Sequence, residues 1–394
     1  MIVLTSNKYK PHFGGIENSL YFLSREYIAL GHEVAILVDD RSLEKNKRLS
    51  NKDFEDKVMI IRYKSYFPKF FLDHLIKPII DIHRAKIEFK KLKSKHNIEK
   101  ILGRNPVPIL AALSLGLQVN YLVPGIAKTQ LKVSIKNFLD FKNIYIKNLV
   151  IPFTSYLQKK ALQKSTNVLA FSFNMKNQIQ DFAGKSVAVK LVNAGVDSSK
   201  FNLETPDIDK QSFLGVPNNH FVFLTVGRLV KDKGIKYAVE SFSKIKNTNS
   251  SLIIVGEGIE RVSLENQIDK LGLKSRVKLV GKVLENIETY YKLSDCFVMC
   301  SIMEPFGQTI LEGLATGLPV IAWKSSKEIQ TATSEIIDER NGFIIDFDIK
   351  KMSECMQELT EMDSREYNIL KSNNVKLINE KYSWKNLALK NLDI

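Results

Sequence analysis

The stretch CFVMCSIMEPFGQTILEGLATGLPVIAW, Cys296 to Trp323, decides the fold. Cys296 to Met299 is a short apolar run that reads as a buried strand. Gly307 then opens a helical pattern over Gln308 to Ala315, and Pro319 to Ala322 reads as a second buried strand. A strand, helix, strand unit whose strands are apolar throughout predicts a parallel sheet covered on both faces. Working outward, Phe221 to Val226, Ser251 to Val255, Val277 to Leu279 and Gly342 to Ile345 read as further strands. Amphipathic patterns such as Ile235 to Ile245 and Ile259 to Leu271 separate them. The beginning of the chain follows the same scheme. Ile2 to Thr5 reads as a strand, Gly14 and Gly15 as a turn, and Leu20, Leu23, Tyr27 and Leu30 recur at helical spacing up to Gly31, before a strand at Val34 to Val38. Between these ends, only helix-rich segments around 70 to 96 and 127 to 165 are legible.

A chain of 394 residues exceeds the usual single core, so two domains are expected. The turn-rich NAGVDSSKFNLETPDIDK, Asn193 to Lys210, marks the boundary. The expected fold class is α/β, with two doubly wound parallel-sheet (Rossmann-like) domains facing each other across a cleft, where ligands bind beyond the carboxyl ends of the strands. The expected limits are 1–195 and 196–375, with 376–394 as a C-terminal helix packing back towards the first domain. The apolar run Ile2 to Leu4 is too short for a signal peptide, and no run approaches a membrane span. Cys296, Cys300 and Cys355 are odd in number and form no CxxC, which fits a reducing cytoplasm better than a disulfide framework.

Charge divides the chain unevenly. Residues 1–200 hold 33 Lys and Arg against 16 Asp and Glu, while residues 201–394 hold 25 against 27, for a total of +15. Basic residues interleaved with aromatics concentrate in Ile61 to His96, and Asp140 is the only acid between Arg104 and Lys176. Such a surface suits anionic lipid headgroups, and a plain solvated helix face reads the same way. Nucleic acid is not expected, because no zinc-finger or RRM pattern accompanies the charge.

Chemistry-bearing residues cluster just after the predicted strands of the second half. VGRLVKDKG supplies Arg228 and Lys233, whose donors suit phosphate oxygens. Gly307 leaves the first N–H groups of the following helix, and its positive dipole end, open to an anion. Together they describe a diphosphate site. Two glutamates stand eight residues apart around this turn, Glu304 in the loop and Glu312 a little over one turn into the helix. Carboxylates repel a bare diphosphate but accept hydrogen bonds from sugar hydroxyls, so one assignment gives Glu312 a ribose hydroxyl and Glu304 the hydroxyls of a transferred sugar. Asp346 to Asp348, DFD, closes a predicted strand and reads as a structural turn. No metal site is expected, because the Arg, Lys and dipole set can itself stabilise a departing diphosphate.

These residues lie in motifs that resemble the retaining nucleotide-sugar glycosyltransferases of family four, the group 1 type with the GT-B fold that serves bacterial polysaccharide and glycolipid assembly. The matching pieces are PHFGGIE at Pro11 to Glu17, GHEV at Gly31 to Val34, NAGVD at Asn193 to Asp197, VGRLVKDKG at Val226 to Gly234, IIVGEG at Ile253 to Gly258 and EPFGQTILEGLATGLPVIA at Glu304 to Ala322. The resemblance implies that Arg228, Lys233 and Glu304 are catalytic, the first two on the donor diphosphate and Glu304 at the donor sugar. It implies that backbone at Phe306, Gly307 and Gln308 touches sugar or phosphate, and that Glu312 holds the ribose. Gly14 and Gly15 would approach from the opposite domain, and Gly256, Val283 and Thr309 complete the donor-binding set. His12, Arg104 and Asn105 are candidates on the acceptor side. One departure stands out: many members carry a histidine facing the reacting sugar where VNYLVPGIAK, Val119 to Lys128, has Pro124. His74 and His83 read as structural or lipid-facing.

The expected activity is transfer of a hexose-type sugar, with retention, from a nucleotide diphosphate sugar, a UDP-sugar being the family's commonest donor. No further cofactor is expected. The basic first half suggests a saccharide or polyprenyl-linked saccharide acceptor, and a peripheral place at the inner face of the cytoplasmic membrane. The alternatives are an epimerase or phosphorylase of the same fold, or a non-catalytic basic membrane-surface module.

Overall fold

A computed structural model describes residues 1–12, 14–44, 47–70, 73–127, 149–304 and 306–393. Part of the expected helix-rich segment around 127 to 165, residues 128–148, lies outside the described residues. The chain divides into two compact units, one formed by Met1–Asn193 together with Trp384–Ile394, the other by Ala194–Ser383.

The first unit holds an eight-stranded sheet. Its strands are β1 (Ile2–Thr5), β2 (Val34–Asp39), β3 (Lys52–Glu55), β4 (Val58–Tyr63), β5 (Lys100–Gly103), β6 (Val119–Leu122), β7 (Asn167–Ala170) and β8 (Val189–Leu191), in the order β3-β4-β2-β1-β5-β6-β7-β8. All neighbours pair in parallel except β3, which runs antiparallel on the outer side of β4. β1 and β2 are buried along their whole length, which is why their sequences are continuous apolar runs without alternation. Helices Gly15–Ala29, Asp73–Lys95, Pro106–Leu113, Ile151–Lys164 and Phe173–Ala183 connect the strands. The expected helix over 376–394 is divided. Residues up to Lys381 complete the helix Ser364–Lys381 of the second unit, and only Trp384–Asp393 packs on the first. There Trp384 stacks on Phe22 at 5.6 Å, and Asn391 donates to the Tyr27 hydroxyl at 2.7 Å. Aromatic burial and a paired amide thus tie the chain's end to its first helix.

The second unit holds a six-stranded parallel sheet of β9 (Phe221–Val226), β10 (Ser250–Val255), β11 (Val277–Gly281), β12 (Cys296–Met299), β14 (Val320–Trp323) and β16 (Gly342–Ile345), in the order β11-β10-β9-β12-β14-β16. Two residues each of β13 (Met303–Glu304) and β15 (Gln330–Thr331) form a separate small ladder beyond it. Phe223, Val298, Ile321, Trp323, Met352 and Met356 form the core between this sheet and the helices Ile235–Phe242 and Ile349–Glu361. Asp348 of the DFD triplet caps the latter helix, accepting from the Lys350 and Lys351 N–H groups at 2.7 and 3.2 Å. Because the strands are parallel, the loops leaving β9, β10, β11 and β12, four adjacent strands, emerge at one edge of the sheet.

Candidate active site

That edge carries most of the second unit's candidate residues. Arg228 is exposed on the loop after β9. Lys233 follows in a tight turn, Lys231–Lys233, and its stem runs over Gly227, where an added Cβ would lie 3.7 Å from it. Gly256 leaves β10 with a φ of +150°, and a Cβ there would lie 1.8 Å from the Gly227 carbonyl oxygen. This position demands glycine because two loop backbones press together. Val283 is half-buried on the loop after β11.

Glu304 lies on β13, and not in open loop as its sequence suggests. Its strand pairs with β15 through Met303 opposite Gln330 and Glu304 opposite Thr331, and its carbonyl oxygen accepts from the Ala332 N–H at 3.2 Å. The carboxylate forms an ion pair with Lys233, both side chains being mostly buried. Backbone bonds fix the two partners relative to each other: the Ile302 N–H donates to the Asp232 carbonyl at 2.8 Å, and the Cys300 thiol to the Lys233 carbonyl at 3.3 Å. A cation and an acceptor are thereby held side by side, an arrangement suited to a ligand with both phosphate and hydroxyl groups.

Gly307 precedes the helix Gln308–Ala315 at a φ of +97°, in the left-handed region that favours glycine, and among the described residues no side chain caps the helix. Its first N–H groups therefore lack the capping partner that most helix starts have. The Gln308 side chain points away from this duty and donates to the Gly195 carbonyl of the NAGVD loop at 2.9 Å. Its backbone N–H is the part left to serve a ligand. Thr309 beside it is half-buried.

Glu312 accepts a hydrogen bond from the Tyr291 hydroxyl at 2.7 Å. Burial pushes the Glu312 carboxyl up to about 7, against the opposing pull of that hydrogen bond. Tyr291 is itself fully buried between Phe201 and Phe297, at ring distances of 5.4 and 5.6 Å. Sequence reasoning missed this tyrosine, which stands 21 residues from its partner and shows no local signal.

The first unit's candidates have structural occupations. Gly14 caps the helix Gly15–Ala29 in extended backbone, and a Cβ there would meet the Glu17 carboxylate at 2.7 Å, whereas Gly15 has open space. The His12 ring lies 2.9 Å from the Arg41 carbonyl. Arg104 is buried, donates to the Ser19 hydroxyl at 2.7 Å and lies over the Phe171 ring; desolvation pulls it down to about 10. Asn105 caps the helix Pro106–Leu113, accepting from the Val107 N–H at 3.0 Å. Arg104 and Asn105 thus spend side chains expected at the acceptor on holding the first unit together. Pro124 is half-buried just beyond β6. Among the described residues, no group of three or more His, Cys, Asp or Glu gathers as a metal would require.

Residues 207–376 match the family described as glycosyl transferases group 1. Over this part of the second unit the chain is similar to the group 1 glycosyltransferases. The chain is 28% identical over 241 residues to the uncharacterized glycosyltransferase MJ1607 of Methanocaldococcus jannaschii, spanning 59% of this chain and only 60% of that relative. It is 26% identical over 339 residues to the alpha-monoglucosyldiacylglycerol synthase of Acholeplasma laidlawii, covering 81% of this chain and 79% of the other. Among solved structures, Anabaena HepE in complex with UDP and glucose matches 99% of this chain and 97% of its own, with a TM-score of 0.71 at 20% identity. The fold is the GT-B fold, as the motifs led one to expect.

Proposed function

We propose that this protein moves a hexose from a UDP-sugar to a lipid-linked saccharide of cell-surface glycolipid or polysaccharide assembly, with retention of configuration. The observation that carries the proposal is the Lys233–Glu304 pair at the sheet edge that also bears Arg228 and the uncapped helix start at Gly307. HepE, of the same fold, holds UDP and glucose, and the Acholeplasma relative is named for a glycosylated diacylglycerol, which supports the donor and the acceptor class respectively.

In this mechanism Arg228, Lys233 and the N–H groups at the start of Gln308–Ala315 receive the diphosphate. Glu312 accepts from a ribose hydroxyl, and Glu304, oriented by Lys233, from the transferred sugar. Breaking the glycosidic bond builds oxocarbenium character on the sugar and negative charge on the leaving diphosphate. The cations and the helix start stabilise that charge, the largest catalytic contribution here. The departing phosphate takes the acceptor's proton on the face it leaves, so the anomeric configuration is kept. No cofactor beyond the donor takes part in this scheme.

The test is nucleoside diphosphate release from a panel of UDP-, GDP- and ADP-sugars, with and without a polyprenyl-diphosphate-linked saccharide extract. Release from a UDP-sugar that rises with the extract and falls about 100-fold or more in Glu304→Gln is expected. An undiminished Glu304→Gln, or a product of inverted configuration by NMR, would refute the mechanism.

A further inference from the structure

We propose that the outward face of the helix Asp73–Lys95 docks this protein on an anionic lipid bilayer, an inference that rests on the acceptor being carried by a lipid. The inner side of the helix buries Asp73, Asp81, Ala85, Phe89 and Leu92. Its outer side leaves Ile76, Ile79 and Ile87 exposed at 46, 57 and 40%, with His83 exposed between them. Positions 76, 79, 83 and 87 follow the three- and four-residue steps that put side chains on one line of a helix. Phe70, just ahead of the helix, is 77% exposed. Soluble surfaces carry single exposed apolar residues freely, but three exposed isoleucines along one line of a helix make an interaction face.

Charge identifies the partner. The helix carries seven Lys and Arg against three acids, and the acids are neutralised or turned inward. Asp73 accepts from the Lys69 and Phe70 N–H groups at 2.7 and 2.9 Å. Asp81 accepts from the Ser65 hydroxyl at 2.9 Å, from the Tyr66 N–H at 2.7 Å, and from Lys77. Glu88 pairs with Lys91 at 2.8 Å. What faces outward is an isoleucine stripe over the first turns, then Lys90, Lys93 and Lys95, all exposed. Isoleucines can enter the boundary between headgroups and acyl chains while lysines reach anionic headgroups on flexible stems. A second copy of this face would bring like charges together. The Asp81 network also clamps the start of the helix to the segment leaving β4, so the face is presented on a rigid element.

The test is co-sedimentation of the full chain with phosphatidylcholine vesicles with and without phosphatidylglycerol. Wild type is expected to bind the anionic vesicles selectively and to be released by salt. Replacing Ile76, Ile79 and Ile87 by Ser should weaken partitioning about 100-fold, about fivefold per isoleucine leaving the apolar boundary. The double reversal Lys90→Glu with Lys93→Glu should weaken it at least about 30-fold at low salt. All these positions lie off the core, and unchanged thermal unfolding will confirm that the variants fold. Equal binding to both vesicles, no binding by wild type, or variants that bind like wild type would overturn the proposal. A dimer in sedimentation equilibrium that the Ile→Ser variant dissociates would assign the face to a second copy instead. Nucleotide release from the donor with a detergent-dispersed acceptor separates the two proposals. Turnover without vesicle binding removes the docking face alone, and vesicle binding without turnover removes the proposed activity alone.

Discussion

Removing the Tyr291 hydroxyl tests whether Glu312 acts as a charged acceptor for the donor's ribose. In the structure the hydroxyl donates to Glu312 at 2.7 Å inside a buried aromatic setting. Burial raises the carboxyl to about 7, and the hydrogen bond works against that rise. A buried hydrogen bond to a charged group contributes roughly 1.5–3 kcal/mol. Its loss in Tyr291→Phe should move the titration of Glu312 up by about 1 to 2 pH units. If the ribose needs the carboxylate, wild-type UDP affinity rises with pH through about 7. In Tyr291→Phe the same rise should occur near pH 8–9, leaving affinity at pH 7 about five- to fiftyfold weaker and restoring it in alkali. Isothermal titration of UDP across this range, for wild type, Tyr291→Phe and Glu312→Gln, measures it. Glu312→Gln should bind weakly with no rise at all. A Tyr291→Phe profile that overlays wild type, or a rise that survives in Glu312→Gln, would refute the reasoning. The phenylalanine keeps both ring contacts, so a collapse of folding is not expected to mask the result.

Two further substitutions separate packing from ligand contact. Gly256→Ala forces a Cβ to within 1.8 Å of the Gly227 carbonyl oxygen at a φ of +150°, and should cost about 2–4 kcal/mol of stability in chemical denaturation; an unchanged midpoint would refute the close approach. Gln308→Ala leaves the Gly195 carbonyl without its donor and should cost about 1 kcal/mol. UDP affinity should change less than about twofold if only the backbone N–H serves the ligand, whereas a tenfold loss would show that the side chain itself touches the donor.

The legibility of the sequence varied along the chain for physical reasons. β9, β12 and β16 begin and end at the residues their apolar runs predict; in β12, buried along its whole length, no polar position blurs the limits. The middle of the first unit was opaque. β5 to β8 are only three or four residues long, and Pro106–Leu113 between two of them is itself almost wholly apolar, so no period distinguishes helix from strand there. The antiparallel edge strand β3 is largely exposed and carries no apolar run at all. β13 and β15 contribute two residues each, below the length at which any periodicity exists.

By itself, the sequence determined the alternation of strand and helix, the glycines that open helices at the sheet edge, and the residue types that suit a diphosphate and sugar hydroxyls. Each of those signals is local, written in neighbouring residues by the periods of strand and helix and by the steric freedom of glycine. Only the tertiary structure decided which partners meet: Lys233 with Glu304, Tyr291 with Glu312 and Gln308 with Gly195, separated by 71, 21 and 113 residues. It also assigned the buried Arg104 to Ser19 and the chain's last helix to its first. Such pairings depend on how strand order and loop closure bring distant segments to one sheet edge or one helix face, and no local pattern encodes that order.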